Sequence, residues 1–169
     1  MISVLAVGRN TYSAKLDLCL TARALGAAEI TFVGKSGSRL IKYMNNINKR
    51  WGGSFKIHFA KNYNEIIRPD SKYKKIYLTR YGTPLQGKSY MLRTYKNLLL
   101  IVTAADLVKP IHGLSDFNIS VSSQPHCSAA AVAVFLHEFY SGRELAMHFE
   151  NARYKLVRND SDLFVEKPK

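Results

Sequence analysis

The segment at 122–128 combines residue types that could hold a small polar ligand. It reads Ser-Ser-Gln-Pro-His-Cys-Ser. Pro125 fixes one backbone angle, and the side chains of Gln124 and His126 can each donate and accept hydrogen bonds. A loop of this composition is therefore a candidate binding site for a small molecule with polar edges.

The segment lies between a predicted strand and a predicted helix. Residues 118–121 read as a short strand. Residues 129–136 contain no polar side chain, which indicates a helix enclosed by protein, from this chain or from a second subunit. The first amides of that helix would point at the loop and could bind a ligand there. The alternative is a core helix that Ser123 or Ser128 caps and that binds no ligand.

The rest of the chain follows a strand-and-helix alternation. Strands are predicted at 2–7, 29–33, 56–59, 75–78, 98–102, 118–121 and 154–157, and helices at 13–25, 64–67, 91–95, 129–136 and 144–149. A further helix is predicted after Ser36 or Ser38, either of which could cap it, and Gly52-Gly53 ends it. The apolar run at 98–102 is typical of a central strand covered on both faces. This order predicts an α/β fold whose sheet is mostly parallel and has helices on both faces.

Three segments of small residues, at 79–82, 103–106 and 122–128, follow strands that should lie together in such a sheet. Ligands of parallel sheets bind at the carboxyl ends of strands, so we expect these segments to form one site, suited to a flat group such as adenine. No GxGxxG, P-loop or GxSxG motif is present, and five scattered histidines give no metal site.

Composition indicates a single soluble domain over residues 1–169, with 47% hydrophobic and 22% charged residues. No apolar run approaches the roughly 20 residues of a membrane span. The absence of a signal-like start and the two unpatterned cysteines, Cys19 and Cys127, favour the cytoplasm.

The positive charge of the chain is concentrated in one stretch. Residues 35–96 hold fifteen Lys and Arg against two acids, whereas the remainder has ten of each sign. Aromatic residues are interleaved with these charges, as in surfaces that stack on unpaired bases of RNA. The pattern predicts a nucleic-acid partner, and the alternative is a basic surface that only aids solubility.

Four motifs in this order resemble the archaeal tRNA cytidine-56 2′-O-methyltransferases. They are Leu-Thr-Ala-Arg-Ala-Leu-Gly-Ala at 20–27, Arg-Trp-Gly-Gly at 50–53, Leu-Thr-Arg-Tyr-Gly at 78–82, and the strand, loop and helix at 118–136 with Gln-Pro-His at its centre. The resemblance covers nearly the whole chain. It implies a SPOUT-class α/β methyltransferase with a C-terminal trefoil knot, working as a homodimer on tRNA with S-adenosylmethionine.

The resemblance also implies roles for individual residues. The knot and cofactor region would span 75–141, followed by a C-terminal extension at 142–169, and Arg23 would be the catalytic arginine. Our own preference for Arg23 is that its guanidinium orients the ribose or a phosphate. The cofactor pocket would be lined by Leu78, Thr79, Thr103, Ala104, Ala105, Asp106, Leu107, Ser122, Ser123, Gln124, Pro125, His126, Cys127, Ser128 and Ala129.

The chain also departs from this family's pattern. It has Thr103 where a glycine is usual, Ser122-Ser123 where a Gly-Asn pair is usual, and no arginines or histidine at 10–17. These changes keep open a noncatalytic RNA-binding protein on a decayed methyltransferase scaffold. A third reading is a small hydrolase that uses Ser122 or Ser123 with His126 and Asp106.

Overall fold

Six parallel strands form one sheet in the order β3-β2-β1-β5-β4-β6. The computed structural model describes residues 1–104, 108–157 and 164–166. The strands are β1 (Ile2–Val7), β2 (Glu29–Val33), β3 (Lys56–Ala60), β4 (Lys74–Pro84), β5 (Leu98–Thr103) and β6 (Phe117–Ser120). The predicted parallel α/β sheet is confirmed.

The two central strands, β1 and β5, are paired along their whole length, from Ile2 opposite Leu98 to Val7 opposite Thr103. Apart from Ser3 and Thr103, their residues are apolar on both faces, and separate core clusters cover the two sides of the sheet. Among the described residues, one cluster joins the sheet to Phe135 and Leu18, and the other joins it to Ile111. The predicted helices on both faces are therefore present.

In the described parts of the chain, five helices surround the sheet: α1 (Tyr12–Ala24), α2 (Ser38–Trp51), α3 (Ser89–Leu92), α4 (Lys109–Leu114) and α5 (Ser128–Tyr140). The side chain of Thr11 caps α1 by accepting a hydrogen bond from the amide of Ala14. At the start of α5 the sulfur of Cys127 accepts from the amide of Ala130 at 3.4 Å. The helix cap is thus Cys127, and the prediction of Ser123 or Ser128 as the cap was wrong.

Several element boundaries differ from the sequence prediction. The helices predicted at 64–67 and 144–149 are 3₁₀ turns, Tyr63–Glu65 and Arg143–Ala146. Helix α4 was missed, because its Pro and Gly within six residues hide any helical period. The C-terminal strand β7 (Lys155–Val157) pairs antiparallel with β8 (Phe164–Glu166), which was also missed. No helix of the described residues could span a membrane.

The largest difference lies after residue 78, where β4 continues across the predicted loop at 79–82. Leu78 and Thr83 are both registered with Ile119 of β6, so the chain between them bulges and returns to the same partner. A Cβ atom on Gly82 would lie 2.5 Å from backbone atoms of Asn118 and Ile119. Only glycine allows this close approach. The trefoil knot stays a prediction, as does the division of one domain into a knot region and a C-terminal extension.

Candidate functional site

A cavity of about 90 Å³ lies at the carboxyl ends of β4 and β5, where the sequence predicts a ligand site. Apolar side chains form part of its wall, and hydroxyl groups and one imidazole lie among them. It is lined by Leu78, Thr79, Arg80, Val102, Thr103, Ala104, His126, Ser128 and Ala131.

A second cavity, of about 290 Å³, adjoins the first. The two share Thr103, Ala104, His126 and Ser128, so we treat them as one site, the strand-end crevice. The second cavity is otherwise lined by Cys127 and Ala129 and by four residues from the start of α1 and the loop before it, Asn10, Ala14, Asp17 and Leu18. Together the two cavities reach the range of about 300–1,000 Å³ that is usual for small-molecule sites.

The crevice brings together eight of the fifteen residues predicted to bind a cofactor. Six line the first cavity and Cys127 and Ala129 line the second. Ser122, Ser123, Gln124 and Pro125 are all exposed and line neither cavity. Ala105, Asp106 and Leu107 lie outside the described residues. Sequence reasoning missed the contribution of α1, because nothing in its local pattern shows which distant loop it meets.

The loop at 122–128 is shaped by short local hydrogen bonds. The hydroxyl of Ser120 donates to the carbonyl of Ser122 at 2.9 Å, and the amide of Gln124 donates to the hydroxyl of Ser122 at 3.1 Å. The hydroxyl of Ser128 donates to the carbonyl of Thr103 at 3.4 Å, which joins this loop to the end of β5. The hydroxyls of Ser120 and Ser122 therefore order the turn, and Ser128 faces the crevice.

The buried side chain of Tyr77 supports the crevice from below. Its hydroxyl is 3.0 Å from the hydroxyl of Thr103 and accepts a hydrogen bond from the amide of Val108 at 3.1 Å. Tyr77 itself has no exposed surface. One phenol group thus fixes both ends of the connection that leaves β5, including a residue that lines the crevice.

We expect Tyr77→Phe to lower the free energy of unfolding by about 1–3 kcal/mol, because the amide of Val108 loses its partner in a part-buried position. Denaturant unfolding measures this change. Tyr90→Phe is the matched control, since Tyr90 is 83% exposed and should shift stability by less than about 0.5 kcal/mol. Equal effects of the two substitutions would show that the Tyr77 hydroxyl does not hold the connection.

The exposed face of α2 carries four cations of the basic segment at 35–96. Arg39, Lys42, Lys49 and Arg50 are all exposed, and this fully described helix contains no acidic residue. The guanidinium of Arg39 lies 4.6 Å from the ring centre of Tyr12 at the start of α1. Helix α2 begins after the carboxyl end of β2, so its first turn is on the same edge of the sheet as the crevice. This face suits a polyanion.

Arg23 does not line the strand-end crevice among the described residues. It is 7% exposed in the last turn of α1, and its burial lowers the pKa of its guanidinium. Its Nε donates to Asn48 at 3.1 Å and its Nη2 donates to the carbonyl of Gly52 at 2.6 Å. The guanidinium also lies 4.7 Å from the ring centre of Phe149 and lines a separate cavity of about 440 Å³. Within one chain, Arg23 is thus at the far end of α1 from the crevice.

Other chemistries find little support among the described residues. No group of three potential metal ligands is present in the parts of the chain that the structure describes. No hydrogen bond joins Ser122 or Ser123 to His126 there, and Asp106 lies outside them, so the hydrolase set is not assembled. Burial raises the pKa of the Cys19 thiol to about 12, which makes Cys19 a packing residue.

Sequence comparison identifies a family and named relatives that this chain resembles. Residues 51–166 match the family described as tRNA ribose 2′-O-methyltransferase, aTrm56. The tRNA (cytidine(56)-2′-O)-methyltransferase of Methanopyrus kandleri is 36% identical over 152 residues, which cover 89% of this chain and 85% of the relative. The enzyme of the same name from Thermococcus kodakarensis is 32% identical over 165 residues, covering 93% and 92%.

Solved structures share the fold at low identity. An RNA 2′-O ribose methyltransferase superimposes with a TM-score of 0.64 at 14% identity, over 83% of this chain and 56% of that one. The SpoU methyltransferase AviRb from Streptomyces viridochromogenes, in complex with the cofactor AdoMet, gives 0.63 at 14% identity, over 83% and 57%. This chain therefore spans little more than half the length of those two, and the likeness concerns the architecture of the sheet and helices.

Proposed function

The chain belongs to the family of tRNA ribose 2′-O-methyltransferases, and from this premise we propose that it methylates a ribose of tRNA with S-adenosylmethionine as donor. The proposed target is cytidine 56, the nucleotide in the names of the relatives. The observation that carries the proposal is the strand-end crevice, which gathers eight residues of the predicted cofactor site. We place the activity in the cytoplasm.

The residues of the crevice fit the chemistry of the donor. Leu78, Val102 and Ala131 offer an apolar surface to a flat adenine ring, and the hydroxyls of Thr79 and Ser128 lie at the same cavity. The solved relative that holds AdoMet has the same fold. The residues present therefore suit S-adenosylmethionine, which supplies a methyl group on a positively charged sulfur.

The reaction moves one methyl group and releases one proton. The carbon–sulfur bond breaks as a bond forms to the 2′ oxygen, and the hydroxyl proton must leave. The chain contributes alignment of the two reactants and a group to receive that proton. His126 lines both cavities and Asp17 lines the larger one, so both are placed to face the acceptor ribose.

The exposed face of α2 is the proposed grip on tRNA. Its four cations can pair with phosphates, and Tyr43, which is 42% exposed, can stack on a base. Because α2 starts on the edge where the crevice opens, RNA bound to this helix would reach the methyl donor.

We expect the affinity for tRNA to fall steeply as the salt concentration rises. Arg39→Ala and Lys42→Ala should each reduce by about 1 the slope of log affinity against log salt concentration, which we call the salt slope. The measurement is fluorescence anisotropy of labelled tRNA at several salt concentrations. Lys96→Ala is the control, because this exposed lysine precedes the opposite, amino-terminal end of β5. Slopes that stay at the wild-type value in both α2 variants would contradict the proposed grip.

The catalytic role of Arg23 is proposed as a contribution to a second subunit. Arg23 lies at the opposite end of α1 from its own crevice, and a cavity of about 440 Å³ lies beside it. A homodimer in which this end meets the crevice of the other subunit would bring the guanidinium to the acceptor. Arg23 could then orient a ribose or phosphate there.

Co-expression of two inactive variants tests this arrangement. Arg23→Gln removes the proposed contribution, and Ser128→Leu blocks the crevice. About a quarter of the wild-type number of active sites should be recovered. Half of the dimers are mixed, and one of the two sites in each mixed dimer combines an unblocked crevice with an intact Arg23 from the other subunit. No recovery would contradict action across the dimer, and full activity of Arg23→Gln with unchanged donor binding would contradict any catalytic role.

The second candidate is a noncatalytic RNA-binding protein on the same scaffold. The observation that favours it is that the basic face of α2 is separate from the crevice, so RNA binding does not require the donor. Two measurements separate the candidates: calorimetry with S-adenosylmethionine and transfer of a labelled methyl group to tRNA. The methyltransferase gives both signals, and a protein that binds tRNA but gives neither is the noncatalytic one.

A further inference from the structure

A groove at the amino-terminal edge of the sheet adjoins the cavity beside Arg23, with which it shares Met147, His148 and Phe149. Its volume is about 380 Å³, and we call it the C-terminal groove. It lies between Trp51, the last residue of α2, and the segment 147–156, with Tyr154, Phe149, His148 and Lys155 in its wall. The strand-end crevice opens at the carboxyl ends of the strands, so the two sites are on opposite edges of the sheet.

The aromatic wall of this groove is held in place by the backbone. The amides of Arg153 and Tyr154 both donate to the carbonyl of Arg50 at 3.0 Å, and the amide of Gly53 donates to the carbonyl of Glu150 at 2.9 Å. Gly52 has a φ of +76°, and a Cβ there would lie 2.6 Å from the carbonyl oxygen of Glu150. The segment is thus fixed against the end of α2 before any ligand arrives.

Two rings of the groove present half-buried faces. The ring centres of Trp51 and Tyr154 are 5.9 Å apart and their planes are tilted by 51°. The rings therefore do not stack face to face, and neither ring covers the face of the other. Both side chains are intermediate in exposure. A flat ligand can therefore lie against an aromatic face here without displacing the rings.

The charge around these rings favours an anion. The guanidinium of Arg50 lies 5.4 Å from the ring centre of Tyr154, and Lys155 and His148 line the groove. None of the lining residues is acidic in the part of the groove that the structure describes. An aromatic face flanked by cations matches one ligand chemistry in particular, a base joined to a phosphate.

We propose that the C-terminal groove binds an unpaired nucleotide of the RNA substrate, as a second contact apart from the strand-end crevice of the same chain. This inference rests on the proposed function only in taking RNA as the ligand. Strands of five or six residues separate the groove from that crevice by roughly 17–20 Å, a distance that one folded RNA can span. The base lies against Trp51 or Tyr154, and Lys155 pairs with its phosphate.

Trp51 is the one tryptophan of the chain, so its fluorescence reports directly on this groove. The probes are a six-nucleotide single-stranded RNA and an unmodified tRNA transcript. We expect both to quench Trp51, whereas S-adenosylmethionine alone leaves its emission unchanged. Tyr154→Leu should weaken binding of the oligonucleotide by about 5- to 150-fold, the range for losing one stacked base.

Lys155→Ala provides a second variant that should not disturb folding, since Lys155 is exposed. It should reduce the salt slope by about 1, and Lys61→Ala is its control, because the exposed Lys61 follows the opposite, carboxyl end of β3. RNA that binds without quenching Trp51, or quenching that neither Tyr154→Leu nor Lys155→Ala alters, overturns the proposal. Emission that depends on protein concentration without RNA would also overturn it, by assigning the groove to a contact between two copies.

The same titration on Ser128→Leu separates this inference from the proposed function. That variant is blocked in the strand-end crevice and should still show quenching by RNA. Quenching without methyl transfer by the wild-type protein would refute the enzyme and leave the groove in place. Methyl transfer without quenching would support the enzyme and refute the nucleotide site in the C-terminal groove.

Discussion

Ser128→Leu should lower the affinity for S-adenosylmethionine by about 100-fold or more. Ser128 lines both cavities of the crevice, so a leucine side chain at this position projects into the space that the donor would occupy. A clash of this kind costs about 3 kcal/mol in binding, which is a hundredfold change. Isothermal titration calorimetry with the purified variant measures the effect.

Ser128→Ala is the matched control at the same position. It removes the hydroxyl without adding bulk, and the hydrogen bond that it removes is long, at 3.4 Å to the carbonyl of Thr103. We expect less than a tenfold change in affinity, because a neutral hydrogen bond contributes about 1 kcal/mol. If Ser128→Leu binds the donor as the wild type does, the donor does not occupy the crevice.

Gly82→Ala should destabilise the fold by about 3 kcal/mol or more. The new methyl group would sit 2.5 Å from the backbone of Asn118 and Ile119, and backbone atoms in a paired strand cannot rotate away. Denaturant unfolding followed by circular dichroism gives the change in free energy. We expect the substitution to weaken the pairing of β4 with β6, the two strands that support the loops of the crevice.

Gly87→Ala is the control for this substitution. A Cβ at Gly87 meets nothing within 4 Å and its φ is not in the left-handed region, so stability should change by no more than about 0.5 kcal/mol. Similar stability of the two variants would mean that Gly82 does not pack closely against the backbone of β6.

The sheet could be predicted because its strands carry a strong local signal. Residues 98–102 are apolar without interruption, which is typical of a strand covered on both faces, and β5 is such a strand. The bulge of β4 between Leu78 and Thr83, beside Ile119 of β6, carries no such signal. Its one mark in the sequence is Gly82, and a glycine in a segment with Thr83 and Pro84 reads equally well as a turn.

The site was predictable where it follows strand ends and unpredictable where distant elements meet. Thr103 and Ser128 line the crevice as expected, since the carboxyl ends of neighbouring parallel strands share one edge. Asn10 and Asp17 were missed because their contact with the loop at 122–128 spans more than a hundred residues. For Arg23 the motif suggested a role but could not show that Asn48 and Gly52 hold its guanidinium.

We propose that this chain places one methyl group on one ribose of tRNA. The decisive experiment is mass-spectrometric mapping of a tRNA transcript after incubation with the protein and S-adenosylmethionine. We expect a single 2′-O-methyl group on cytidine 56, absent from a reaction with Ser128→Leu. A methyl group on a base or on another nucleotide, or unmodified tRNA despite demonstrated binding of both substrates, would contradict it.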